Sequence, residues 1–322
     1  MKVVITGGGG FLGAKLARAL LARGALAAGK IDRVVLADQA FPDLPKDPRL
    51  EKLAGDVSDP AFVARAITPD TRAIFHLAAV VSGAAEADFD LGMRVNLGGT
   101  RAVLEQARKC ASPPRLVFAS SVAAFGGELP DVLDDATAPT PQTSYGTQKV
   151  IGEHLVSDYS RKGLLDGRSL RLPTIVVRPG KPNAAASSFA SAVVREPLNG
   201  VPYECPLPPE TAVWLLSPRR AVDAFVHALE LAPSAWREGR VVNLPGITAT
   251  VAEMIEAMTR IAGPAPAKRV SFRVDPRIDA IVRTWPVRFA TPRAIAMGFK
   301  ADPDVDTVIR DYVADEGVEP AP

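Results

Sequence analysis

Short apolar runs alternate with stretches of helical period along most of this chain. KVVIT (2–6) is apolar and β-branched, the pattern of a strand buried on both faces. FLGAKLARALLARG (11–24) follows with Phe11, Leu12, Leu16, Ala19 and Leu20 at helical spacing and Lys and Arg opposite. RVVLADQA (33–40), RAIFHLAAVVSG (72–83) and PRLVFASSVAAFGG (114–127) read as further buried strands. LAGDVSDP (53–60) places Asp56 and Val57 where another strand would end. PQTSYGTQKVIGEHLV (141–156), SPRRAVDAFVHALELA (217–232) and TVAEMIEAMTRIAG (250–263) read as helices, and RVVNLPG (240–246) as strand. Strands alternating with helices predict an α/β fold with a doubly wound parallel sheet.

The texture changes after about residue 174. Pro and Gly become dense in RPGKPNAA and EPLNGVPYECPLPPE, as in loops that wrap a ligand. The expected division is a domain carrying the doubly wound sheet over 1–173 and a smaller α/β lobe for a substrate over 174–322, with some segments returning to the main sheet. The tail DEGVEPAP is expected to fray.

Composition narrows the classes. Of 322 residues, 38 are basic and 36 acidic, leaving +2 with no basic block. Nothing points to nucleic acid or a membrane surface. No apolar stretch approaches the ~18 residues of a membrane span. Cys110 and Cys205 form no CxxC, and His76, His154 and His227 are far apart in sequence, so no metal site is expected. With no charged leader before the first strand, the expected compartment is the reducing cytoplasm.

Four glycines stand where the first strand turns into the first helix. Backbone N–H groups and the helix dipole can hold a pyrophosphate there if no Cβ blocks it. Gly7, Gly10 and Gly13 give G-x-x-G-x-x-G, while Gly8, Gly10 and Gly13 give G-x-G-x-x-G; spacing leaves both registers open. A P-loop needs Lys directly after its last Gly, and Ala14 stands there. Asp38 ends the second strand, where a carboxylate accepts from an adenosine ribose and repels a 2′-phosphate, favouring NAD over NADP. Small residues after His76 let backbone lie against a cofactor.

Tyr145 and Lys149 are four apart on a predicted helix and so share a face. A phenol with a pKa near ~10 is drawn toward neutrality by an adjacent ammonium and a cationic nicotinamide. It can then take a proton from a substrate alcohol as hydride leaves the carbon. Ser120 and Ser121 end the preceding strand, and Ser121 would hydrogen-bond the same substrate oxygen. No G-x-S-x-G surrounds Ser120, so a hydrolase elbow is not indicated.

TGGGGFLG, FHLAAVVS, VNLGGT, FASSVAAFGG and YGTQK, in this order, resemble the extended short-chain dehydrogenase/reductase superfamily along the whole chain. The resemblance implies Gly7, Gly10, Phe11, Leu12 and Gly13 at the pyrophosphate and Asp38 on the ribose. It implies Asp56 and Val57 near adenine, Leu77, Ala78 and Ala79 along the cofactor, and Pro173 at the nicotinamide. Asn96 matches a helix asparagine that organises the site, and Ser121, Tyr145 and Lys149 match the catalytic trio. Ser121 is preferred to Ser120 because it stands four before Phe125, where relatives carry a Tyr. HLAAVVSGAAEADFDLGMRVN and VVRPGKPNAAASSFASAVVREPLNG look like the D-erythronate dehydrogenase subfamily, which oxidises the C2 hydroxyl of a four-carbon sugar acid. The family also implies a homodimer through four helices, two from each copy: 85–109 and the helix of Tyr145.

A sugar acid needs cations or donors for its carboxylate and hydroxyls. Ser82, Arg178, Lys181, Asn183 and Ser188 are the substrate candidates, and Arg219 opens a helix of the lobe; each also reads as a surface or capping residue. Trp214 and His76 read as core. Two other readings stand beside dehydrogenation: a nucleotide-sugar epimerase or dehydratase on the same fold, and a non-catalytic NAD(P) sensor.

Overall fold

The computed structural model describes residues 1–180, 187–237 and 239–319. The chain forms two compact units. One is Met1–Ala124, Thr143–Arg171 and Val222–Val242; the other is Phe125–Gln142, Leu172–Ala221 and the chain from Asn243 onward.

The first unit is built on a seven-stranded sheet. Its strands are β1 (Lys2–Thr6), β2 (Arg33–Asp38), β3 (Leu50–Ala54), β4 (Thr71–His76), β5 (Arg115–Ser121), β6 (Asp166–Leu172) and β7 (Val241–Asn243). The order is β7-β6-β5-β4-β1-β2-β3. β1 pairs in parallel with β2 and β4, β2 with β3, and β4 with β5. This is the doubly wound arrangement of the Rossmann type. Val3, Val4 and Ile5 of β1 and Val34, Val35 and Leu36 of β2 are buried, which explains runs without polar alternation.

Four helices matter for the site: α1 (Phe11–Arg23), α2 (Pro60–Ala66), α3 (Thr100–Ala107) and α4 (Ser144–Arg161). α1 buries Leu16, Ala17, Leu20 and Leu21. One core cluster joins Val4, Val35, Ile74, Leu116 and Phe118 of the sheet to Phe62 of α2, Val103 and Leu104 of α3 and Val156 of α4. Strand order reverses between β1 and β4, and in open α/β sheets ligands bind at that point beyond the carboxyl ends. Gly7 follows β1 there, and Leu77 follows β4.

The stretch 85–109 is not one regular helix. Ser82–Ala87 and Phe89–Gly92 are separate, Met93–Gly99 is π-helical, and α3 follows. Asp88 takes an extended backbone and its side chain accepts from Leu91 N, so it ends one helix and caps the next.

In the second unit Ala212–Leu216 lies between Ile247–Thr250 and Thr174–Ile175, and Tyr203–Cys205 pairs with Val270–Phe272. Helices Ser188–Leu198, Val251–Ala262 and Val305–Glu316 close a core containing Phe189, Val193, Met254, Met258, Ile309 and Tyr312. Thr250 and Glu253 form a capping box at the start of Val251–Ala262. The last helix runs to Glu316, so the expected frayed tail begins inside a helix, and 320–322 lie outside the described residues.

Candidate active site

The turn after β1 is held by its own backbone. Gly7 has φ +71°, and a Cβ there would lie 2.6 Å from Ala78 N. Gly10 N donates to Gly7 O at 3.1 Å. A Cβ on Gly13 would run into that same Gly7 oxygen. Gly7, Gly10 and Gly13 therefore pack as a set, and Gly7 alone among Gly7 to Gly10 needs the left-handed region. The bare surface is the kind a pyrophosphate requires, and α1 begins at Phe11 with its first N–H groups available. The residues present fit a dinucleotide.

Asp38 ends β2 beside this turn. Its Oδ2 accepts from Gly9 N at 2.9 Å and its Oδ1 from Gln39 N at 2.7 Å. Asp56 Oδ1 accepts from the N and Oγ of Ser58, both at 2.8 Å, and the backbone N–H holds its carboxyl below the usual range. Val57 is buried beneath Gly99. Leu77 N donates to Thr6 O, so the segment after β4 passes along the glycine turn. Ala78 and Ala79 continue it with small side chains.

Asn96 lies buried in the π-helical turn. It accepts from Val80 N at 2.7 Å and donates to Val80 O and to Gln148 Oε1 on α4. π-turns often mark functional sites. His76 lies between Thr6 Oγ1 (2.6 Å from Nδ1) and Thr100 Oγ1 (2.9 Å from Nε2). Thr100 donates its hydroxyl to Asn96 O at 2.6 Å, so it must accept from His76. That fixes the proton on Nε2 and makes Nδ1 the acceptor from Thr6. Burial pushes His76 down to about 3, keeping it neutral. A buried polar chain thus joins the end of β1 to α4.

α4 starts at Ser144, capped by the Thr143 side chain on Gly146 N. Tyr145 and Lys149 share one face, with Lys149 Nζ 5.5 Å from the Tyr145 ring centroid and 4.8 Å from that of Phe118. The ammonium is buried and donates to Ala119 O on β5 at 2.7 Å. Burial lowers its pKa to about 8, against an opposing pull from Glu153. The two serines at the end of β5 part company. Ser120 is buried and donates to Glu153 Oε1 at 2.5 Å, whereas half-buried Ser121 accepts from Ala123 N at 3.1 Å. Ser120 is thereby committed to the core.

The substrate candidates are dispersed. Ser82 opens the helix Ser82–Ala87, whose N-cap is Val81 with no side-chain cap. Ser188 opens Ser188–Leu198 after Ser187. Arg178 N donates to Ser191 Oγ, and its carbonyl accepts from buried Arg195. Lys181 and Asn183 lie outside the described residues. Arg219 is engaged by Asp311 and Asp315 in ion pairs. Pro173 and Trp214 flank Gly246, with Trp214 buried and stacked 5.3 Å from Phe289. Phe125 packs edge-on against that same ring. Among the described residues no cluster of His, Cys, Asp or Glu could hold a metal, and no helix is long and apolar enough to cross a membrane.

Sequence reasoning missed Glu153, Arg171 and Gln148. Glu153 continues the Tyr145, Lys149 spacing by four more residues, a signal that was readable, but its partners on β5 and β6 were not.

Residues 3–242 match the NAD dependent epimerase/dehydratase family. The chain is 56% identical to D-erythronate dehydrogenase of Cupriavidus necator over 322 residues, covering 99% of each protein. It is 46% identical to D-erythronate dehydrogenase of Haemophilus influenzae, covering 97% of this chain and 99% of that one. In structure it is similar to the nucleoside-diphosphate-sugar epimerase from Agrobacterium tumefaciens, with TM-score 0.94 and 39% identity over 99% of this chain and 95% of that one.

Proposed function

The chain belongs to the NAD-dependent epimerase/dehydratase family, and from that membership we propose that it oxidises the C2 hydroxyl of D-erythronate to the 2-keto acid. The observation that carries the chemistry is the placement of Tyr145 and Lys149 on one face of α4, with Lys149 bonded to the strand that ends in Ser121. Bound NAD supplies the hydride acceptor. Gly7, Gly10, Phe11, Leu12 and Gly13 would hold its pyrophosphate, Asp38 its ribose, and Asp56 and Val57 would border the adenine. Leu77, Ala78, Ala79 and Pro173 would complete the cofactor contacts, and buried Asn96, its amide taken by Val80 and Gln148, would organise the site from behind.

Tyr145 acts as phenolate and takes the proton of the C2 hydroxyl as the C2–H bond breaks. Lys149 favours that phenolate by its positive charge, which it carries below about pH 8. Ser121 donates to the same substrate oxygen and fixes its direction. Arg178, Ser188 and Ser82 stand as candidates for the substrate's carboxylate and hydroxyls, and Lys181 and Asn183 lie outside the described residues. The protein works in the cytoplasm as a homodimer, joined through 85–109 and α4; Phe89, 59% exposed on that stretch, supports this face.

A second reading is favoured by the Agrobacterium protein, which is called an epimerase. An epimerase returns the hydride and makes no net NADH. Val122 and Ala123 after Ser121 supply no acid for a dehydratase, and the Tyr145–Lys149 pair argues against a sensor. The deciding experiment follows absorbance at 340 nm with NAD and C4 or C5 aldonates beside nucleotide sugars. NADH with D-erythronate supports dehydrogenation; nucleotide-sugar conversion without NADH rejects it.

A further inference from the structure

Three consecutive residues of β5 are held from α4. Gly152 leaves room for the Phe118 ring, where a Cβ would lie 2.7 Å from Cζ. Lys149 takes the carbonyl of Ala119, and Glu153 takes the hydroxyl of Ser120. The next residue is Ser121. Glu153 is 2% exposed, and Arg171 of β6 grips both its oxygens, Nε to Oε1 at 2.8 Å and a terminal nitrogen to Oε2 at 2.7 Å. A buried ion pair adds little net stability over apolar side chains of the same volume. Here it places a fixed anion one helical turn beyond Lys149 and clamps a strand end.

Resting on the dehydrogenase reading, we propose that Glu153 is a positioning residue for the reaction: its carboxylate favours the ammonium form of Lys149 and, through Ser120, fixes the strand end that presents Ser121. Among the described residues Lys149 lies beside Tyr145 on α4 and is coupled by charge to Glu153 on α4 and His76 on β4, while Arg171 of β6 pairs with Glu153. His76 is neutral, and among these groups Glu153 is the one anion. Burial pulls the Lys149 pKa down and Glu153 opposes it. Removing the anion therefore lowers the pH at which Lys149 loses its proton.

The test is Glu153→Gln, which keeps the side-chain shape and an acceptor for Ser120. With lysine Cε labelled by 13C, the Lys149 resonance, assigned by its loss in Lys149→Met, is titrated in the full chain without cofactor. The midpoint is expected to fall by at least half a pH unit, since one charge a helical turn away in a medium of effective dielectric about 20 exceeds that. An unchanged midpoint in folded Glu153→Gln overturns the proposal. Should that variant fail to fold, Glu153→Met with Arg171→Met keeps the core neutral; its midpoint falls by less, and no fall overturns the proposal. Ser120→Ala should lower kcat at least fivefold with the midpoint unmoved, and wild-type kcat there also overturns it. A wild type that oxidises no sugar acid, with the midpoint still shifted in Glu153→Gln, counts against the substrate reading and supports the coupling.

Discussion

Lys149 holds the main chain of β5 directly, its Nζ donating 2.7 Å to the carbonyl oxygen of Ala119. The cost is a buried ammonium, visible in a pKa lowered from 10.5 to about 8. The folded chain thus releases this proton before the unfolded chain does. Below about pH 8 both states are protonated and the burial penalty is present in full; it is relieved as pH rises toward 10.5. Lys149→Met does not titrate. Its stability relative to wild type should therefore decline by at most about 3 kcal/mol between pH 7 and pH 10.5, at 1.36 per pKa unit. Denaturant unfolding at several pH values measures this, and a constant difference would show that the ammonium is not buried. In activity, Lys149→Ala should move the acid limb of kcat/KM to higher pH, because the cation that favours the phenolate is gone.

Tyr145→Phe removes one oxygen and leaves the ring beside Lys149. Turnover should drop by about 10³-fold or more, within the range of a lost general base together with its hydrogen bond. NAD affinity by calorimetry should stay within twofold, since the ring and the turn are intact. Retained turnover assigns the proton to another group.

Both oxygens of Asp38 already accept backbone N–H groups, from Gly9 and Gln39. The residue is therefore a brace for the glycine turn as well as the proposed ribose partner. Asp38→Ala should weaken NAD binding and lower the ratio of kcat/KM for NAD over NADP at least tenfold. Asp38→Asn, which keeps one acceptor and removes the charge, should shift the ratio less. An unchanged ratio in both variants removes the ribose contact.

The strand-turn-helix unit was legible in the sequence because its causes are local: β-branched runs, glycines where backbone must approach backbone, and a four-residue spacing that pairs side chains. Spacing left two glycine registers open; of the four glycines Gly7 alone takes a left-handed φ, while Gly8 too has no room for a Cβ. The polar interior was not legible. Glu153 and Arg171 are eighteen residues apart and look like solvent-facing charges until α4 is laid on β5 and β6. The π-turn at Met93–Gly99 has no pattern of its own; it lets Asn96 reach Val80 and Gln148, partners set by topology. The ion pairs of Arg219 were not legible for the same reason. Its carboxylate partners, Asp311 and Asp315, lie over ninety residues away.

Gly13 offers the sharpest test of the turn because two effects of one methyl group oppose each other. It lies within α1, where Ala is favoured over Gly by about 1 kcal/mol in a helix interior. Were the surroundings open, Gly13→Ala would raise the melting temperature. The new Cβ instead meets backbone, the oxygen of Gly7 and, at 2.8 Å, the Cα of Gly8, neither of which can swing away as a side chain would. Relief requires α1 to move off the turn, which spoils the N–H groups offered to the pyrophosphate. The variant should melt lower than wild type and bind NAD at least tenfold more weakly. Gly10→Ala, whose Cβ would lie 3.2 Å from Gly7 O alone, should do less on both counts. A melting temperature raised in Gly13→Ala with NAD affinity unchanged would show that the helix and the turn do not meet at this residue.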